Sequence, residues 1–94
     1  MVKLLVKSNI KPGYLEKVAP LYKELIEESL KEKGCLEYCL FSDTTDEHAF
    51  YMIETWESAE DLEAHKVSAH VKRLVPLIME CRVSPAEIIF LKEF

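Results

Sequence analysis

The sequence predicts an α+β domain in which helices cover one face of a four-stranded antiparallel sheet. Three observations predict it. Two stretches carry apolar residues at three- and four-residue steps, four short stretches are rich in β-branched and aromatic residues, and the order reads strand, helix, strand, strand, helix, strand. At 94 residues the chain suits one domain spanning 1–94, with a core thin enough that further burial through oligomerisation is an advantage.

Each element has its own signal. Val2 to Lys7 is short and partly β-branched and stops at Ser8-Asn9, as a first strand does. Lys11-Pro12-Gly13 punctuates the chain. From Tyr14, the residues Leu15, Val18, Tyr22, Leu25 and Ile26 form an apolar stripe opposite Glu16, Lys23, Glu24, Glu27 and Glu28, which predicts an amphipathic helix ending at Gly34 as its C′ residue. Pro20 inside that pattern predicts a kink or a late start. Cys35 to Phe41 reads as the second strand, the polar run Ser42 to Glu47 as a hairpin loop containing the neighbourhood of His48, and Ala49 to Trp56 as the third strand. Alternation puts Phe50, Met52, Glu54 and Trp56 on one face of that strand and Tyr51, Ile53 and Thr55 on the other.

Ser58-Ala59-Glu60-Asp61 matches a capping box with Asp as a short fourth member, so a helix starts there with Ala59, Leu62, His65 and Ala69 on its apolar stripe. Ser68 is placed to cap a second segment whose buried face is Val71, Leu74, Val75, Ile78 and Met79, with a break or bend at Pro76. Ile88 to Leu91 reads as the fourth strand, preceded by Pro85. This is the split βαβ order of a ferredoxin-like fold. The second sheet face, carrying Tyr51, Ile53 and the Ile89/Leu91 parity, is apolar and predicts packing against another copy, giving a dimeric α/β barrel.

Composition excludes several classes. A net charge of −5, with no run of Lys or Arg, argues against nucleic acid as a partner. Leu4-Leu5-Val6 is too short for a signal segment, and no run reaches membrane-spanning length, so a cytoplasmic protein without membrane insertion is expected. Cys35 and Cys39 lie ~13 Å apart on one strand at ~3.3 Å per residue, beyond disulfide reach, and neither they nor Cys81 form a CxxC; free thiols in a reducing compartment are expected.

Among residues able to carry chemistry, Glu54, Trp56 and His65 form the most informative constellation. If their strand face is the one toward the helices, a carboxylate, an indole and an imidazole line one pocket, and the imidazole can take a proton while the carboxylate fixes its tautomer. The same residues also suit an ordinary core, with His65 merely satisfied and Glu54 in solvent. Phe50, Met52 and Tyr38 would line that pocket for a flat organic substrate. His65 and His70, five apart, are separated by ~140° on a continuous helix at 3.6 residues per turn, so they do not share a face and no zinc motif is read. With only Gly13 and Gly34, no Gly-rich phosphate loop can be placed.

Lys11-Pro12-Gly13, Lys33 to Tyr38, Phe50 to Trp56 and Glu63 to His70 together resemble the antibiotic biosynthesis monooxygenase family, which includes quinol monooxygenases, over nearly the whole chain. The resemblance implies a dimeric ferredoxin-like barrel, a pocket between sheet and helices, and oxidation of a phenol or quinol by O₂ without metal or flavin. It assigns His65 as base, Trp56 and Glu54 as its catalytic companions, and His70 with Phe50, Met52 and Tyr38 as substrate contacts. Haem-degrading relatives use an Asn on the first strand where Val6 stands here, so haem breakdown is disfavoured and that family's oxygen-activating set is incomplete. His65, Lys66 and His70 also resemble the His-Lys-x-x-x-His spacing of the autoinducer-2 phosphate isomerases, which implies a second reading as a proton-transfer enzyme. A small-ligand binding protein without turnover is the third.

Overall fold

In the computed structural model, which describes residues 1–94, the sheet grows outward from a hairpin. Strands β2 (Cys35–Asp43) and β3 (Asp46–Trp56) are joined by Thr44 and Thr45 alone. Asp43 Oδ1 closes this turn by accepting from the Thr45 backbone N–H at 2.8 Å and from its hydroxyl at 2.7 Å. The polar run is therefore mostly strand, not loop, and His48 lies on β3, partly buried. Strand β1 (Val2–Asn9) pairs with β3, and β4 (Glu87–Leu91) pairs with the other side of β1, so the antiparallel order is β2-β3-β1-β4.

Three helices cover one face: α1 (Leu15–Leu30), α2 (Ala59–Lys66) and α3 (Ala69–Glu80). Pro20 and Pro76 lie inside α1 and α3 without ending them. Both prolines are on the solvent side, as are Glu16 and Lys72, whose carbonyls lose an intrahelical donor, so water can take over that bond. Ser58 caps α2 by accepting from the Asp61 N–H at 3.2 Å, and Ser68 caps α3 through the Val71 N–H at 3.4 Å. Asp61 completes the first cap by accepting from the Ser58 hydroxyl at 2.9 Å.

Gly34 does not serve as the C′ residue of α1. That helix stops at Leu30 with Lys31 as its cap, and Gly34 sits at the entrance of β2 with φ +80. A Cβ there would collide with the Asp61 carboxylate, so Gly34 lets α2 pack close to the α1–β2 turn.

The core gathers Val18, Tyr22 and Leu25 of α1, Leu4, Met52 and Trp56 of the sheet, and Leu74 and Ile78 of α3. Met79, Ala59 and Ala69 are exposed rather than buried, because the elements flanking them leave those helix sides open. On the far sheet face, Leu5 pairs with Ile53 and Ile89, and Ile53 with Cys39. With Phe41 (54 % exposed), Ile89 and Leu91 they leave an apolar band on that face uncovered within one chain, flanked by the Lys3–Glu37 ion pair, Lys7 and Glu87. A bulge between Cys35 and Glu37 flips the alternation, so Cys35 faces the helices while Cys39 faces away. The two thiols thus occupy opposite faces, and all three cysteines are free.

Candidate functional site

Alternation on β3 turns Met52, Glu54 and Trp56 toward the helices, all three buried. The Trp56 indole N–H donates to Glu54 Oε1 at 3.0 Å. His65, next to last in α2, is buried against them: its ring centroid lies 4.6 Å from that of Trp56, and its Nε2 is 3.9 Å from Glu54 Oε1. Tyr38 meets the imidazole edge-on at 5.4 Å between centroids. The carboxylate, the indole and the imidazole of the sequence constellation do come together.

A residue that carries no sequence signal completes the arrangement. Glu32, in the turn after α1, has Oε2 at 2.5 Å from His65 Nδ1 and at 2.8 Å from His70 Nε2. His70 also lies 3.3 Å from the Ser68 hydroxyl. The helix is interrupted at Val67-Ser68, where Ser68 caps the following segment. His65 and His70 are therefore not on one continuous helix, and the ~140° separation does not apply. Both rings converge on one carboxylate, with the three donor atoms within 4.8 Å of one another. This His₂Glu composition is one that zinc accepts. The 2.5 and 2.8 Å separations are hydrogen-bond distances, however, tighter than two ligands adopt around an ion held at ~2.1 Å.

With Glu32 accepting at Nδ1, the neutral imidazole carries its proton there and keeps its Nε2 lone pair on the Glu54 side. His65 and Glu54 both line a cavity of about 230 Å³ between the sheet and the helices. Tyr38, Met52, Leu62 and Val75 supply its walls, with Lys66 at the same end as His65. Trp56 is wholly buried behind the cavity and meets its lining through Glu54, His65 and Tyr38. His70 is held on the far side of His65, against Glu32. Phe50 lies in a separate, more open depression of about 460 Å³ under α1, with its ring 5.8 Å from that of Tyr22. So of the four expected substrate contacts, Tyr38 and Met52 line the cavity, while Phe50 and His70 do not.

Burial sets the electrostatics. It raises the Glu54 carboxyl above the ordinary range, against the opposing pull of the Trp56 hydrogen bond and the nearby His65. Burial, reinforced by Glu54, also pushes the Tyr38 phenol up, so Tyr38 stays protonated as a neutral wall. Burial, then Glu32 and Glu54, raises the Cys35 thiol to about 11, which keeps it from acting as a thiolate nucleophile at neutral pH.

This combination, a four-stranded ferredoxin-like sheet with a mostly apolar cavity beside a buried imidazole, defines a class. The family model described as antibiotic biosynthesis monooxygenase matches residues 1–77. The chain belongs to the antibiotic biosynthesis monooxygenase family. A crystal structure of an antibiotic biosynthesis monooxygenase superposes with a TM-score of 0.96 at 35% identity, covering 100% of this chain and 99% of that one. The Bacillus subtilis protein YcnE, whose name proposes a monooxygenase, is 26% identical over 89 residues, 95% of this chain and 94% of its own. The Synechocystis protein sll1783, to which no activity is ascribed, is 30% identical over 80 residues; that match takes in 85% of this chain but only 54% of the Synechocystis protein. No helix is long and apolar enough to cross a membrane.

Proposed function

We propose that the protein is a cofactor-independent monooxygenase that oxidises a small phenol or quinol with O₂, acting as a homodimer. The observation that carries this reading is the imidazole of His65, held at Nδ1 by Glu32 at 2.5 Å and lining a mostly apolar cavity. A phenol seated against Met52, Leu62 and Val75 would lose its proton to His65 Nε2, with Glu54 beside the cation that forms. The phenolate is electron-rich enough to pass one electron to O₂, and the surrounding apolar walls keep water from the reactive species. For a phenol the net change is C₆H₅OH + O₂ → C₆H₄O₂ + H₂O, in which the ring carbon loses its hydrogen and gains one oxygen to give the quinone, the substrate supplies all the electrons, and the second oxygen atom leaves as water.

The uncovered sheet face supports the dimer, since Leu5, Phe41, Ile53 and Ile89 form an apolar ladder that a second copy can bury. The test is oxygen uptake with reduced menadione-type quinols. Uptake matched by product, lost in His65→Ala with the fold retained, is expected. Folded protein with no uptake for any quinol or phenol would sink the reading.

A further inference from the structure

The cavity holds a charge that its apolar character does not explain. Arg82 lines it, and the guanidinium Nε is buried with no hydrogen-bond partner. The ion pairs of the chain engage Lys3, Lys31, Lys66, Arg73 and the three histidines, but not Arg82. Lys66, the other cation at the cavity, is paired with Glu63 at 3.0 Å and is half exposed. A guanidinium cannot shed its proton, so removing part of it from water without a partner is costly unless something else supplies the anion.

The backbone fixes where this cation stands. Arg82 bridges Ile10, and the Val83 N–H donates to the Asn9 carbonyl at 2.9 Å, which ties the segment after α3 to the end of β1. That is the Ser8 end of the cavity. The His65 end is marked by Glu54, which pairs with Leu4 on the same strand. Four residues separate Ser8 from Leu4, roughly 13 Å at ~3.3 Å per residue. Ser8 and Tyr22 line the same cavity, and their buried hydroxyls lie 3.0 Å apart. One of their two hydrogens serves that mutual bond, so the other is free to be donated into the cavity.

We propose that Arg82, with the Ser8–Tyr22 hydroxyl pair, forms a subsite for an anionic substituent, a carboxylate, on an aromatic ligand whose opposite end reaches His65. This specifies the substrate class and rests on the cavity's being the substrate site proposed above. Two charge-bearing ends joined by apolar walls select a flat acid with its acidic group distal to the reacting hydroxyl. The guanidinium fork offers a carboxylate two parallel N–H donors, which a lysine cannot reproduce.

Binding of 6-hydroxy-2-naphthoate and of its uncharged carboxamide, followed by calorimetry on the intact protein, tests this without any turnover. The acid is expected to bind the wild type about 10- to 100-fold more tightly than the amide, the range of one well-made charged hydrogen-bond pair. Arg82→Gln should erase that preference by weakening the acid far more than the amide, and amide binding that is still measurable in the variant reports an intact cavity; Arg82→Lys should restore only part of the preference. Equal affinities for acid and amide in the wild type would overturn the subsite, as would failure of the acid to bind at millimolar concentration. A preference that survives in Arg82→Gln, or tight binding of ribose 5-phosphate in place of the naphthoate, would overturn it too. Acid preference through Arg82 together with no oxygen uptake for any quinol or phenol would uphold the subsite and remove the monooxygenase reading.

Discussion

His65 Nδ1 and Glu32 Oε2 stand 2.5 Å apart although 33 residues separate them in sequence. The contact aims the imidazole as well as satisfying it. A carboxylate at Nδ1 fixes the proton there and leaves Nε2 to face Glu54 and the cavity. Glu32→Gln should therefore lower kcat of the proposed oxidation by about 10²-fold, the scale of positioned acid–base catalysis, while KM moves much less. The measurement is steady-state oxygen uptake on a variant whose circular dichroism matches the wild type. A kcat within twofold of the wild type would show that Glu32 does not position His65.

Glu54 gives a pH signature. Its carboxyl is raised by burial above the unfolded value, so the folded state holds the proton more tightly than the unfolded state does. The stability associated with that proton is fully present below the unfolded carboxylate range near pH 4.5 and is lost as pH rises through the higher folded value. Glu54→Gln carries no such dependence. In urea melts, its stability relative to the wild type should climb as pH is raised from 4 toward neutrality and then level off. A difference that stays flat, or falls, over that window would contradict the raised carboxyl.

Much of this architecture was legible in the residues themselves. Period-2 alternation on β3 put Glu54 and Trp56 together, and the stripe through Leu62 and His65 aimed the imidazole at them. Both are local signals that tertiary packing then honoured. Glu32 was not legible, because a single Glu in an acidic helix terminus looks like a solvated charge and its role comes only from residues 33 and 38 positions away. The ~140° between His65 and His70 holds only for an unbroken helix. The Ser68 cap that interrupts it is legible, but its consequence, that both rings swing onto one carboxylate, depends on three-dimensional closure. The bulge after Cys35 and the tight Thr44-Thr45 turn likewise come from pairing with β3, which alternation alone does not specify.

Gly34 links the turn that carries Glu32 to the helix that carries His65. Its φ of +80 disfavours any side chain, and an added methyl would strike the Asp61 carboxylate, the group that completes the α2 cap. Gly34→Ala should cost about 1–3 kcal/mol, combining backbone strain with a disturbed cap. Chemical denaturation measures the loss. Asp61→Ala should relieve the collision, so the double variant should be less destabilised than the two single losses added together.

Ile53 sits at the middle of the uncovered sheet face, opposite Leu5 on β1 and Cys39 on β2. If a second copy covers this face, a charge placed there would be desolvated without a partner on both sides of a twofold contact, because each protomer presents the same residue. Ile53→Lys should then shift the protein from dimer to monomer in sedimentation velocity at micromolar concentration. The substitution faces away from the cavity, so the fold and the His65–Glu32 contact are expected to survive in the monomer. Oxygen uptake by that monomer asks a separate question, whether the cavity needs the partner's support to keep water out. Activity should fall together with the dimer fraction as the variant is diluted. A variant that remains dimeric with Lys at position 53 would mean that this face is not the interface.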